Sequence, residues 1–298
     1  MPDILTHTLF SKLVSQQIKN EKVRKAIHDN LKLFQLAAQG PDFLFYYKPF
    51  SLFNPIERQF GHIMHNKHTA VFFTDAFKKL KKQRDEKLLV YMLGFLCHFH
   101  LDKNIHPYVY YIEENGIWDY NDNKHTISHY DLEVTMDTRL WEKYEKEQAA
   151  KVDDSKLLNV ESFPKSILSY ISSYASKHHN ITLNNKKLLK AEKTMIKLLH
   201  ILYDPNNKKK ILYKLPLPRK PYIVDGFLEW DILNTKKHEW HYLGEDVKLT
   251  YSGFELIDIS VKECVSRIDE IIDYLFEDKQ IDIEHIIPNV SYNTNRKV

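Results

Sequence analysis

An all-α fold follows from three properties of the sequence. Apolar residues recur at three- and four-residue spacing in segment after segment, the pattern of helices that bury one face. Glycine is scarce, 7 in 298 residues, where an extensive β-architecture or a Gly-rich phosphate loop would use more. Helix start and stop signals bracket the periodic segments, and neither an internal repeat nor a low-complexity linker interrupts them. With 43% hydrophobic residues the chain can build a sizeable core. The expected architecture is one compact multi-helix domain over 1–298, whose first 150 residues carry the chemistry described below and whose residues 151–298 form a helical extension.

The elements are expected in this order. Leu9, Phe10, Leu13, Val14 and Ile18 define an amphipathic helix over 6–19, with Thr6 as its N-cap and His7 in its first turn. A second helix over 21–38 turns Val23, Ile27, Leu31 and Phe34 inward and stops at Gly40-Pro41. Asp42 and an aromatic-rich loop follow, then a polar segment, GHIMHNKHTA, and a helix over 70–82 ending in a solvated charge run. A central helix over 86–106 is closed by Pro107, and 112–127 is a loop. Ser128 can cap the next helix, with Leu132, Met136 and Leu140 on its apolar face. Helices are expected at 161–177, 184–203 and 254–276; the stretch 204–252, with prolines at 205, 216, 218 and 221, is loop-rich. The last of these helices buries Leu256, Val261, Val265, Ile268, Ile272 and Leu275, and the tail from Asp278 ends loosely.

Composition narrows the function. There is no GxxxxGK and no GxGxxG, and a net charge of +3 argues neither for nor against an anionic partner. Two cysteines make no disulfide framework, and Cys97 sits in an apolar run as a packed thiol. The first residues, MPDILTHTLFSKLV, show no basic segment followed by an apolar one, so no signal peptide is visible and a reducing cytoplasm is the expected setting. The longest apolar run is too short to span a membrane.

That run, Leu88 to Leu101, is the informative one. It ends in His98, His100, Asp102 and His106, for which a buried helix has no packing reason. His98, Asp102 and His106 stand at i, i+4 and i+8, and each such step overshoots a full circle by about 40°, so the three share one drifting stripe. Two imidazoles and a carboxylate are the ligand set of a borderline-soft divalent metal such as zinc. His100 points away from that stripe, toward a core or ligand-supporting role. Of 16 histidines, ten precede residue 130, and His129 and Glu133 repeat the i, i+4 pairing on another helix. Such a pair is common by chance, as an exposed hydrogen-bonded pair. Together with Asp42 and the histidines at 62, 65 and 68, it points to a multi-ligand site in a helix-bundle interior. Two metals about 3.5–4 Å apart need a bridging carboxylate and can clamp a phosphoryl group.

The sequence resembles the zinc-dependent phospholipase C family, which shares its all-α fold with the fungal single-strand nucleases. The resemblance rests on Thr6-His7-Thr8-Leu9-Phe10, Ala37-Ala38-Gln39-Gly40-Pro41-Asp42, Gly61 to Met64-His65, Gly94-Phe95-Leu96-Cys97-His98 through Asp102 to His106-Pro107-Tyr108, and His129 to Glu133. These occur in family order over about the first half of the chain; the second half matches in helical character and near Trp240. The resemblance implies two or three zinc ions. A close pair would be held by His7, Asp42, His65, His98 and a bridging Asp102, and a third by His106, His129 and Glu133. It also implies that a zinc-activated water attacks a phosphodiester, with Asp42 orienting or deprotonating that water. Zinc lowers the pKa of bound water from 15.7 to roughly 7 and neutralises phosphate charge, so no nucleophilic side chain is required.

One departure stands out. Secreted members bind a metal through the amine and carbonyl of an N-terminal tryptophan; here six residues precede His7 and none is tryptophan. Asp3, His62 and His68 are the candidate replacements. Phe43 and Tyr46, with Phe45 and Tyr47, either line a substrate pocket or pack helices together. The HEWHY stretch at 238–242 is expected at the surface or in a lid. The expected partner is a phospholipid or small phosphoester. The alternatives are a single-strand nuclease, for which the basic runs at 78–87 and 208–210 are the only candidate groove, and a non-catalytic metal-binding helical protein.

Overall fold

The computed structural model describes residues 4–209, 211–212, 221–222, 229–277, 279 and 281–298. Asp3, Lys210 of the second basic run and the prolines at 216 and 218 lie outside the described residues. The architecture is all-α, with one two-stranded antiparallel hairpin among the described residues, β1 (Ile117–Trp118) paired with β2 (Lys124–His125).

The fold is built on α6 (Glu86–Asn115), 30 residues long, in which every residue from Leu88 to Val109 is buried. A helix apolar on all sides must be surrounded. It is packed by α1 (Ile4–Gln17), α2 (Glu21–Asp29), α3 (Leu31–Ala37), α5 (Thr69–Lys82), α7 (His129–Glu145), α9 (Lys165–His179) and α11 (Gly253–Phe276). Two glycines set the spacing. A Cβ on Gly94 would lie 2.4 Å from the Phe34 carbonyl, so α3 can approach α6 only there. Gly40, at φ +54°, opens the 3-10 helix Gly40–Tyr46, and a Cβ on it would lie 2.1 Å from His98 Cδ2.

Several local expectations are corrected. Thr6 is inside α1, not its cap. The orphan N–H groups of Leu5 and Thr6 donate to the carboxylate of Asp137 on α7, at 2.8 and 2.9 Å, a cap delivered from 131 residues away. The helix expected over 21–38 breaks at Asn30. Its side-chain amide donates to the Ala26 carbonyl (2.9 Å), the local competition that ends helices. The break shifts the phase, and Leu31 is exposed while Val23, Ile27 and Phe34 are buried. The polar segment with His62 and His65 is helical, in α4 (Ile56–Asn66).

Pro107 does not close α6, which continues to Asn115 and stops at Gly116, φ +83°. A mid-helix proline costs about 3 kcal/mol, which burial of Tyr108, Val109 and Ile112 offsets. Ser128 caps α7 as expected, accepting from Asp131 N–H at 3.2 Å. Ser252 and Glu255 form a capping box on α11. The final correction concerns the tail. Residues 281–298 form α12 (Ile283–Ile286) and a Val290–Lys297 bridge, and Tyr292 is fully buried in the centre of the molecule. No helix among the described residues is long and apolar enough to cross a membrane.

Candidate metal centre

Five elements deliver eight side chains to one region. The first turn of α1 supplies His7. The 3-10 helix supplies Asp42 and α4 supplies His65. The middle of α6 supplies His98, Asp102 and His106, and the first turns of α7 supply His129 and Glu133. Their donor atoms fall into three triads, each within 4.8 Å: His7/Asp42/His98, His65/His98/Asp102 and His106/His129/Glu133. The first two share His98 and the third stands apart.

Asp102 is the centre of the first cluster. Its Oδ1 is 3.2 Å from His7 Nε2; its Oδ2 is 3.1 Å from His98 Nε2, 3.9 Å from His65 Nε2 and 3.7 Å from His106 Nδ1. His65 Nε2 also lies 3.2 Å from Asp42 Oδ1. Both ring nitrogens of His7 and of His98, both oxygens of Asp102, and Asp42 Oδ1 are buried with no hydrogen-bond partner. A carboxylate such as Asp102, stripped of water and left without donors, would cost several kcal/mol. Lone pairs converging at these separations are what a tetrahedral zinc requires, since bonds of about 2.0–2.2 Å place its ligand atoms about 3.3–3.5 Å apart. The residues present therefore fit the cation.

Neighbouring groups orient three of the imidazoles. His65 Nδ1–H donates to the Gly61 carbonyl (2.8 Å), His106 Nδ1–H to the Tyr292 carbonyl (3.1 Å) and His129 Nδ1–H to Glu113 (2.8 Å). Each directs Nε2 into the site: His129 Nε2 is 2.8 Å and His106 Nε2 3.8 Å from Glu133 Oε1. Such supporting bonds fix the tautomer and raise ligand basicity. His7 and His98 have none, and their rings stack at 4.5 Å.

Electrostatics favour the same state. Burial pushes the Asp102 carboxyl upward, but the imidazoles of His98, His106 and His7 outweigh it and hold the group well below the usual range. Burial pushes His106 well below the ordinary imidazole value and His129 down to about 4. These two are neutral at pH 7, the form that ligates a metal.

Other candidates fall outside the three triads. His62 packs on Phe45 (4.7 Å), and His68, in a left-handed conformation before α5, lies against His179 (5.4 Å). His100 faces Phe99 and Glu263 behind the site and is pushed by burial to about 4. Cys97 is a buried thiol, 4.0 Å from the Cys264 sulfur. Phe43 is buried against Phe163 (6.3 Å), and Tyr46 is also buried. Within HEWHY, Trp240 is core, edge-on to Tyr108 at 5.4 Å, which corrects the surface expectation.

Three groups escaped the sequence reading. Glu113 stands seven residues after His106, two turns along the same helix face, so its spacing could have revealed it. Tyr292 and the Gly61 carbonyl carry no such signal.

Comparison with curated proteins and with solved structures gives no significant match. The family model described as zinc-dependent phospholipase C matches residues 6–181. That span is more than half of the chain and contains all eight converging side chains, and the chain belongs to the zinc-dependent phospholipase C family.

Proposed function

We propose that this protein hydrolyses the phosphodiester bond of a phospholipid. Water adds across the bond between phosphorus and the glycerol oxygen, releasing a diacylglycerol and a phosphorylated headgroup. One observation carries this reading: imidazole and carboxylate lone pairs converge in a buried site without hydrogen-bond partners. Zinc bound there supplies Lewis acidity toward the phosphate and acidifies a water molecule.

The chain's own residues divide the remaining work. Asp102, with its two oxygens facing different imidazoles, would hold zinc together with His7, His65 and His98. A neutral imidazole offers one lone pair, so His98 serves one of its two triads at a time. His106, His129 and Glu133 would hold a further ion. Asp42 is 8% exposed, the most accessible of the first five ligands, with Oδ1 3.2 Å from His65 Nε2. That residual accessibility supports a role for the Asp42 carboxylate in accepting a proton from an attacking water.

Protein purified without chelator should carry at least two zinc ions per chain by elemental analysis. It should release phosphorylated headgroup from phosphatidylcholine in short-chain, soluble form. Chelation should abolish turnover and zinc should restore it. Less than one equivalent of zinc, or turnover that survives chelation, would contradict the proposal.

A further inference from the structure

The turn between the 3-10 helix and α4 carries apolar side chains that nothing among the described residues covers. Phe50 is 62% exposed, Phe53 84% and Leu52 100%. Three large apolar groups within four residues of one turn are costly in water, and such patches mark an interaction surface. The turn is shaped by its own hydrogen bonds: Ser51 N–H donates to the Lys48 carbonyl (2.9 Å) and Phe53 N–H to Ser51 Oγ (3.3 Å). Lys48, at φ +47°, reverses the chain ahead of it.

Both ends of this excursion are tied to the metal centre. Asp42 precedes it and His65 follows it, and the two meet at 3.2 Å. Phe45, on the outgoing side, stacks on His65 with 5.7 Å between ring centroids. The exposed groups thus belong to the segment that joins two of the converging side chains. The turn itself carries one lysine and no carboxylate over residues 43–56, and the buried Glu57 that follows is paired with Lys187 at 3.1 Å. The ammonium groups of Lys48 and Lys187 each lie 5.8 Å from the Tyr47 ring at the base of the turn. Apolar tips above a cationic base match a surface with phosphate outside and hydrocarbon beneath. A second copy of the chain would bring the same lysines face to face.

We propose that Phe50, Leu52 and Phe53 insert into the interface of a phospholipid bilayer, with Lys48 meeting headgroup phosphates, so that the segment joining Asp42 and His65 is held at the lipid surface. The choice of a bilayer as occupant rests on the phospholipid substrate proposed above.

The zinc-loaded full chain is mixed with phosphatidylcholine/phosphatidylglycerol vesicles containing a dansylated lipid. Energy transfer from tryptophan is followed on the stopped-flow timescale, before lipid turnover. Each apolar-to-serine change should weaken binding about tenfold, and the triple variant Phe50→Ser/Leu52→Ser/Phe53→Ser at least about a hundredfold. Hydrolysis of a soluble phosphodiester by that variant should match the parent. The variant Leu52→Trp should show blue-shifted emission on vesicles and be quenched by brominated acyl chains. Equal vesicle binding by parent and triple variant, an unshifted Leu52→Trp emission, or loop-dependent dimerisation in sedimentation would each overturn the inference. Vesicle binding that depends on the turn in a protein unable to hydrolyse any phosphodiester would support the turn's role while refuting the proposed reaction.

Discussion

The cluster around Asp102 and the triad of His106, His129 and Glu133 use the same chemistry in different settings. The first draws on four elements, α1, the 3-10 helix, α4 and α6, and is sealed: His98 and Asp102 have no exposed surface. Its His7 and His98 have no supporting hydrogen bonds. The triad draws on two helices, His129 is partly exposed, and Glu113 and the Tyr292 carbonyl orient its imidazoles. The sealed cluster is held in shape by packing, without hydrogen bonds to its central groups. The triad is held by hydrogen bonds that exist without the cation. Burial without partners favours tight binding at the cost of an unstable empty state, whereas a supported, shallower triad keeps its geometry when empty.

The most damaging test of this contrast is Asp102→Asn. It should remove zinc from the first cluster and lower hydrolysis on the order of a thousandfold, while the triad retains its ion. Metal content measured alongside turnover checks both, and full zinc loading with undiminished rate would break the comparison. Gly40→Ala comes next. It places a Cβ 2.1 Å from His98 Cδ2 on a backbone at φ +54°. The strain should destabilise the protein by about 1–2 kcal/mol in denaturant titration and displace His98, weakening zinc at the first cluster. Glu113→Gln acts on the other region. It removes the carboxylate that orients His129 and should weaken zinc at the triad about 10–100-fold in competition with a chromogenic chelator, leaving the first cluster loaded.

The smallest effect separates the regions by pH. Burial holds His129 at about 4 in the folded protein, below the ordinary 6.5. Between these values the unfolded chain binds more protons. Stability of the zinc-free protein is therefore complete above about 6.5 and falls as pH drops toward about 4. His106 shifts in the same direction. Asp102 is also held below its ordinary value of 3.8, so its share is complete above that value and lost only in stronger acid. Denaturant titrations of chelated protein at about pH 7.5, 5.5 and 4.5 should show the decline, and His129→Gln should flatten it. An unchanged slope would show that His129 is not held neutral by burial.

The helices most legible from sequence were those with strong local signals. Ser128 and the apolar face of Leu132, Met136 and Leu140 located α7, and the 24 residues of α11 follow from its periodic Leu, Val and Ile. The failures came where distant residues overrode local ones. Pro107 reads as a helix end, yet burial carries α6 through it. Thr6 reads as a cap, yet Asp137 does the capping from α7. The tail reads as loose, yet Tyr292 is buried and its backbone bonds both regions: its N–H donates to the His65 carbonyl (2.8 Å) and its carbonyl accepts from His106.

The sequence by itself determined the helical class and the stripe of His98, Asp102 and His106, because helical periodicity converts spacing directly into a shared face. It also marked His129 and Glu133 as a pair on one face. Only the tertiary structure decided that His7, Asp42 and His65 meet that stripe, that Asp102 presents each oxygen to a different imidazole, and that Gly40 must lack a side chain to let His98 in. Those relations span 33 residues of chain between His65 and His98, 58 between Gly40 and His98, and 95 between His7 and Asp102. They are set by how helices pack around α6, which no local pattern encodes.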